Sequence, residues 1–394
     1  MDNNSGHVVL FDSISDLNDL DEVINEDMSK IISFNHDTHK LLKDKKISHE
    51  ISDAYLSEKE LRMIQKTAYS ISEWFNAEEI SKYLSYKGVN IGSLVQDELI
   101  NILVNYIKKF FELYKISKKV NCTTYVGSYA CCEIMKNFSK TITTFKNSKK
   151  EVLGQLPLDS NEIKMKIGTK DHSMKFGISK NLFKKLKGVS EKSTKLLLPK
   201  NNLAKETSQN VLIVEFNAIQ YQSFFEQMPN SHLNFLSYNR RRPTFWNFQS
   251  YNLVKQSGCF VETEDSLSDT NLKKIISNGK LETEKQISNL LSEEVFFQSF
   301  FSIHGISFWF AFKPFFQEFL RKRAREFIHE IELFKKLLEK YTFSSVLILS
   351  EVGSNERIAC QLASQKHIPV CLLQHGVNYD TKESYDMNIA KGIL

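Results

Sequence analysis

The hydrophobic pattern changes period many times along the chain, and each change predicts an element. Short apolar runs at Val8–Phe11, Lys30–Phe34, Thr123–Val126, Thr141–Phe145, Val211–Phe216, Leu233–Ser237, Cys259–Glu262, Val346–Leu349 and Val370–Leu373 suit strands. Between them the period is three to four. Ser57-Glu58-Lys59-Glu60 is a capping box, opening a helix through about Phe75. Ile91 to Ile116 reads as one long amphipathic helix, with Leu99, Ile102, Leu103, Tyr106, Ile107, Phe110 and Phe111 at helical spacing. Further helices are predicted near Ala130–Phe138, Ile219–Gln227, Trp246–Gln256 and Ser268–Leu291. Phe296 to Leu338 is dense in Phe. Its second half predicts one helix with Phe316, Phe319, Leu320, Phe327, Ile331, Phe334 and Leu338 on one face. Glu318/Lys322 and Glu332/Lys336 are i,i+4 pairs on the other face. The aromatic stripe reads as domain core, with a groove for a lipid carrier as the alternative.

The stretch Val346–Asn378 organises the rest. Two apolar runs, read as strands buried on both faces, flank a helix whose apolar face is Ile358, Ala359, Leu362 and Ala363. A strand, a helix and a strand this close in sequence make a parallel βαβ unit. The predicted class is therefore α/β, a Rossmann-like parallel sheet flanked by helices. It is expected to form one domain over residues 1–378. A helical, basic insertion is expected at about 146–208, and a linker or the start of a further domain at 379–394.

Composition adds limits. The chain has 394 residues, 41% hydrophobic and 25% charged, as soluble globular proteins have. A net charge of +5 is small for this length, so no nucleic-acid partner is expected. Six Cys form no CxxC pair, and no metal site is expected. The start, MDNNSGHVVLFDS, has no signal-peptide pattern, and the apolar stretch Val295–Phe316 is interrupted by polar residues. A cytoplasmic location follows as an expectation. Lys180–Lys200 carries seven Lys and one acidic residue, Glu191, with Leu182, Phe183, Leu186 and Val189 on one helical face. Such a segment can lie on the inner face of a membrane, or pack its apolar side on the domain.

Candidate chemistry gathers at predicted strand ends, where open parallel sheets bind ligands. Gly353-Ser354-Asn355-Glu356 opens a helix, and Ser354 and Asn355 beside its free N–H groups make a candidate anion site with Glu356. Glu351 ends its strand and is a candidate general base. Gln374-His375-Gly376 ends the next strand, and His375 is a candidate acid–base group. Arg240, Arg241 and Arg242, in the run Tyr238–Asn247, are candidates to clamp phosphate or an anionic sugar. His36-Asp37-Thr38-His39-Lys40 reads as a substrate loop or a solvated turn. No P-loop or dinucleotide fingerprint occurs, so no cofactor is expected.

Ser350-Glu351-Val352-Gly353, Asn355-Glu356 and Leu373-Gln374-His375-Gly376-Val377 resemble the end of the amino-terminal half of GT-B glycosyltransferases of surface-polysaccharide assembly. These include polysialic-acid type enzymes and, more distantly, CDP-glycerol glycerophosphotransferases. Tyr238–Trp246 resembles segments of the same group. The resemblance implies inverting, metal-independent transfer from a nucleotide sugar, with His375 and Glu351 at the chemistry and Gln374 and Gly376 among the substrate contacts. It also implies that a whole second domain follows the Gln-His-Gly strand, whereas only 16 residues follow Asn378. The expectation is an acceptor-binding half, inactive alone. Its partners would be a glycan or lipid-linked glycan acceptor and a second GT-B domain or subunit. The alternatives are a non-catalytic glycan-binding or partner module, and a relative of nucleotide-sugar epimerases.

Overall fold

A computed structural model describes residues 7–24, 30–120, 124–150, 160–166, 173–179, 187–189, 209–303 and 305–373. The chain is α/β, with two five-stranded parallel sheets flanked by helices. It divides into two compact units, each discontinuous in sequence.

The first unit takes residues 1–80, 96–156 and 289–320. Its strands are β1 (His7–Phe11), β2 (Lys30–Ser33), β3 (Glu50–Ile51), β4 (Thr124–Gly127) and β5 (Thr141–Thr144), in the order β3-β2-β1-β4-β5. β1 is central, with Val8 facing Lys30 on one side and Tyr125 on the other. A central parallel strand is covered on both faces, which is why Val8–Phe11 is apolar without alternation. Its helices include α1 (Leu17–Ile24), α2 (His36–Asp44), α3 (Glu58–Ser72), α4 (Gln96–Lys119) and α5 (Tyr129–Met135). The predicted capping box is present at the start of α3. Gly127 ends β4, where a Cβ would stand 2.2 Å from the Leu10 carbonyl oxygen, so only glycine lets the two strands run this close. Val9, Phe11, Leu20, Ile31, Leu42 and Phe145 pack together on one side of the sheet. Trp74, Phe297, Phe301, Phe308, Trp309, Phe312 and Phe316 are all buried, and the rings of Phe297 and Trp309 stack at 4.4 Å. This part of the aromatic stripe is core.

The second unit takes residues 81–95, 157–288 and 321–394. Its strands are β6 (Asn210–Val214), β7 (Asn234–Tyr238), β8 (Phe260–Glu262), β9 (Ser345–Ile348) and β10 (Val370–Leu372), in the order β8-β7-β6-β9-β10. The two sheets thus share one order of parallel strands. The helices used below are α6 (Phe248–Gln256), α7 (Thr270–Leu290), α8 (Trp309–Lys340) and α9 (Ser354–Gln365). Ile213, Phe216, Phe225, Val254 and Leu349 centre its core. The predicted face of α9, Ile358, Ala359, Leu362 and Ala363, is buried.

Several expectations change. One domain over residues 1–378 becomes two units with a sheet each, because the apolar runs are shared between two separate hydrogen-bonded sheets. The helix expected over Ile91–Ile116 is broken at Val95. Asn90 caps a short helix, Ile91–Leu94, and α4 starts at Gln96. The short piece belongs with the second unit, where the Asn90 amide donates to Gln361 Oε1 at 2.9 Å. β10 is an exposed edge strand rather than one buried on both faces. Glu332 is buried, accepting from the Tyr86 hydroxyl at 2.6 Å and pairing with Lys87, while Lys336 pairs with Asp269. The 146–208 insertion contains an antiparallel hairpin, Ser160–Lys166 with Ser173–Ser179. Leu182, Phe183 and Leu186 lie outside the described residues. Lys187 is buried and donates to the Arg240 carbonyl at 2.6 Å, so that lysine is not on a free basic face. No described helix is long and apolar enough to cross a membrane.

Candidate functional site

In the first unit the carboxyl ends of β1, β2 and β4 open into a cavity of about 580 Å³. This is the point where the strand order reverses, between β1 and β4, and such crevices are the usual ligand sites of open parallel sheets. Each strand end delivers a polar residue. Asp12 follows β1, and its carboxylate pairs with Lys109 of α4 at 2.5 Å. Burial lowers the Lys109 pKa, but the Asp12 carboxylate more than offsets it, and the net shift is upward. Asn35 follows β2. Its Oδ1 accepts from the Thr38 amide at 2.9 Å, capping α2, and its Nδ2 donates to the Asp12 carbonyl. Ser128 follows β4 and stands at the N-cap of α5, but its Oγ turns away from the helix to accept from the Asp12 amide at 3.0 Å. The Tyr129 amide donates instead to Ser148 Oγ at 2.9 Å, and Ser148 donates to the buried Asp16 carboxylate at 3.0 Å. The wall is therefore a fixed set of hydroxyl, amide, carboxylate and ammonium groups around an open volume.

In the second unit the same end of the sheet is filled by the chain's own charges. Glu215 follows β6 with a positive φ of 62°, a conformation that costs a side-chain-bearing residue on the order of 1 kcal/mol. Its fully buried carboxylate accepts from the Arg240 amide at 2.7 Å, the Arg241 amide at 2.9 Å and Asn355 Nδ2 at 2.9 Å. These bonds hold the loop after β7 to the start of α9. Arg240 donates to Glu330 at 2.6 Å and to Glu264 at 2.7 Å, and only 6% of its side chain is exposed. His329 stands 3.0 Å from Glu264, whose carboxylate, with Glu330 adding, raises its pKa to about 8. Arg241 is 49% exposed and pairs with Glu356.

Of the predicted site residues, the structure brings Arg240, Arg241, Asn355 and Glu356 into one network, but every contact in it is internal. Arg240 is committed to two carboxylates. Asn355 points to Glu215. Glu356 folds back over Gly353 at the start of α9, so the anion site expected there already holds a carboxylate. Burial raises the Glu356 pKa against the pull of Arg241. Ser354 is half-buried at the first position of α9. Arg242 has no ion pair among the described residues. Glu351 is half-buried, and its carbonyl accepts from Arg357 Nε at 2.8 Å. Gln374, His375 and Gly376 lie outside the described residues. Among the described residues no group of three or more His, Cys, Asp or Glu is placed to hold a metal ion.

Asp12, Asn35, Lys109 and Ser128 were not among the residues singled out in the sequence. Asp12 and Asn35 stand directly after apolar runs, the same signal that pointed to Glu351 and Arg240. Asp37, in the polar stretch read as a substrate loop, lines the crevice, whereas His39 of that stretch bonds His49 at 2.9 Å. Comparison with family models, with characterised proteins and with solved structures finds no match for the chain.

Proposed function

We propose that this chain acts in sugar transfer, as all or part of a GT-B type glycosyltransferase of surface-glycan synthesis. On this reading its first unit holds the acceptor, a glycan or lipid-linked glycan. The observation that carries the reading is the polar crevice at the switch point of the first sheet. Asp12, Asn35, Ser128 and Ser148 there offer fixed donors and acceptors of the kind that read hydroxyl groups, in a volume suited to a small ligand. Parallel five-stranded sheets flanked by helices support the coarse, Rossmann-like architecture that the reading requires. The resemblance at Val346–Val377 and Tyr238–Trp246 supports the reaction class. Glu351 and His375 are its acid–base pair, Arg242 carries the triplet's contact to the substrate, and a nucleotide sugar is the donor substrate. A cytoplasmic location goes with this reading.

A second reading is a non-catalytic glycan-binding module. It is favoured by the second unit, where Glu215, Arg240, Arg241 and Glu356 at the carboxyl end bond one another rather than facing open space. Consumption of nucleotide sugars by the complete protein, with any second GT-B domain or subunit and a surface-glycan acceptor present, separates the two. The enzymatic reading expects turnover that falls about 100-fold or more in Glu351→Gln and in His375→Ala. Unchanged turnover in both variants removes those two residues from the chemistry. Glycan binding without any turnover leaves the module.

A further inference from the structure

The crevice of the first unit contains one buried carboxyl group with an unpaired oxygen among the described residues. Glu112 stands on α4, one turn after Lys108, and lines the crevice with only 2% of its surface exposed. Its Oε1 accepts no hydrogen bond among the described residues, and the Lys108 ammonium is 3.5 Å away. Lys108 also pairs with Asp53, in the turn Ser52–Tyr55. The buried Glu112 carboxyl thus shares one ammonium with the exposed Asp53 carboxylate. The other groups acting on this cluster are the Ser52 hydroxyl, Lys109 of α4 and the buried Cys131 thiol of α5. Lys109 is paired with Asp12 and acts on Glu112 only secondarily. A buried excess of negative charge is relieved most readily by taking up a proton. Burial pushes the Glu112 carboxyl up to about 8 against the pull of Lys108, and Asp53 adds to the rise.

We propose that Glu112 exchanges a proton with the ligand bound in this crevice, apart from the Glu351 and His375 assigned to the transfer step, giving a proton to a ligand oxygen and taking it back. The proposal rests on reading the crevice as a ligand site. In the forward step the Glu112 O–H bond breaks and the proton passes to a lone pair on a ligand oxygen. The negative charge stays on the Glu112 carboxylate, within 3.5 Å of the Lys108 ammonium. The reverse step restores the acid, and no other bond changes. The chemistry selects ligands that present an oxygen base, such as a phosphate or carboxylate oxygen, rather than ligands that are purely apolar.

The test uses the full native chain and a hydrophobic carbodiimide, which attacks protonated carboxyl groups. Peptide mass spectrometry reads the site. At about pH 6 Glu112 is labelled, and labelling falls about thirtyfold by pH 9.5, with its midpoint near 8. Glu112→Gln loses the label from that peptide. Asn105→Trp, which narrows the crevice from the exposed side of α4, cuts labelling several-fold while the fold is retained by circular dichroism. An unlabelled Glu112 at every pH makes it a purely structural acid and overturns the proposal. A midpoint in the ordinary carboxylate range overturns it as well, since an ionised group has no proton to give. Labelling that ignores Asn105→Trp shows access by another route and overturns the placement in the crevice. None of these readouts needs a nucleotide sugar. Failure of sugar consumption with Glu112 labelled as expected sinks the transfer reading alone, and the converse sinks the acid alone.

Discussion

The two sheets have the same strand order and opposite carboxyl ends. In the first, the residues after the strands, Asp12, Asn35 and Ser128, bond along the wall and leave about 580 Å³ open. In the second, Glu215, Arg240 and Arg241 bond inward to α8 and α9. The difference lies in the side chains rather than the topology. Where the loop after β7 carries long arginines and the facing helices carry Glu330 and Glu356, the charges meet one another. Where the strand ends carry short polar residues, they cannot span the crevice. A shared backbone plan therefore predicts where a ligand can sit, and the side-chain lengths decide whether one does.

The largest expected effect strikes the closed end. Arg240→Ala leaves Glu330 and Glu264 without their guanidinium and costs about 4 kcal/mol in stability, read by urea denaturation of the full chain. A loss under 1 kcal/mol would mean the network does not hold the second unit together. Next is a pH effect at the open end. Glu112 titrates near 8 when folded and in the ordinary carboxylate range when unfolded, so the folded chain binds the extra proton between those values. Stability from this group is complete below the ordinary range and is lost as pH rises through 8. Glu112→Gln should flatten that slope, and an unchanged pH profile would show that Glu112 is ionised in the fold. Lys109→Ala, at a pair still partly reached by solvent, should cost about 2 kcal/mol and abolish ligand binding in the crevice. Binding that survives this change would move the site elsewhere. The smallest effect is Arg242→Ala, expected within about 0.5 kcal/mol by thermal melting, because no ion pair among the described residues is lost.

The strands and the main helices were legible because their signals are local. The apolar runs at Val8–Phe11 and Val346–Leu349, the capping box at Ser57–Glu60 and the buried face of α9 need only neighbours in sequence. The break at Val95 was not legible, since Ile91–Ile116 keeps a helical period across it and only the packing of Ile91–Leu94 on the second unit sets it apart. The pairing of nine apolar runs into two sheets was hidden for the same reason: a parallel strand carries no mark of which sheet it joins. At the sites, the rule that ligands gather at strand ends found Arg240 and Glu351. It did not reveal that Arg240 turns inward, because Glu330 lies 90 residues away in sequence. Lys109 and Glu112 look like ordinary polar positions of an amphipathic helix, and only the strand ends opposite them give them a role.

Hydrogen–deuterium exchange of the full chain, with and without a nucleotide sugar and a surface-glycan acceptor, tests the contrast most directly. The account predicts slowed exchange on ligand addition in segments 12–16, 34–38 and 128–131, with segment 239–242 already slow and unchanged. Protection confined to 239–242 and 351–357, or protection nowhere, would contradict it.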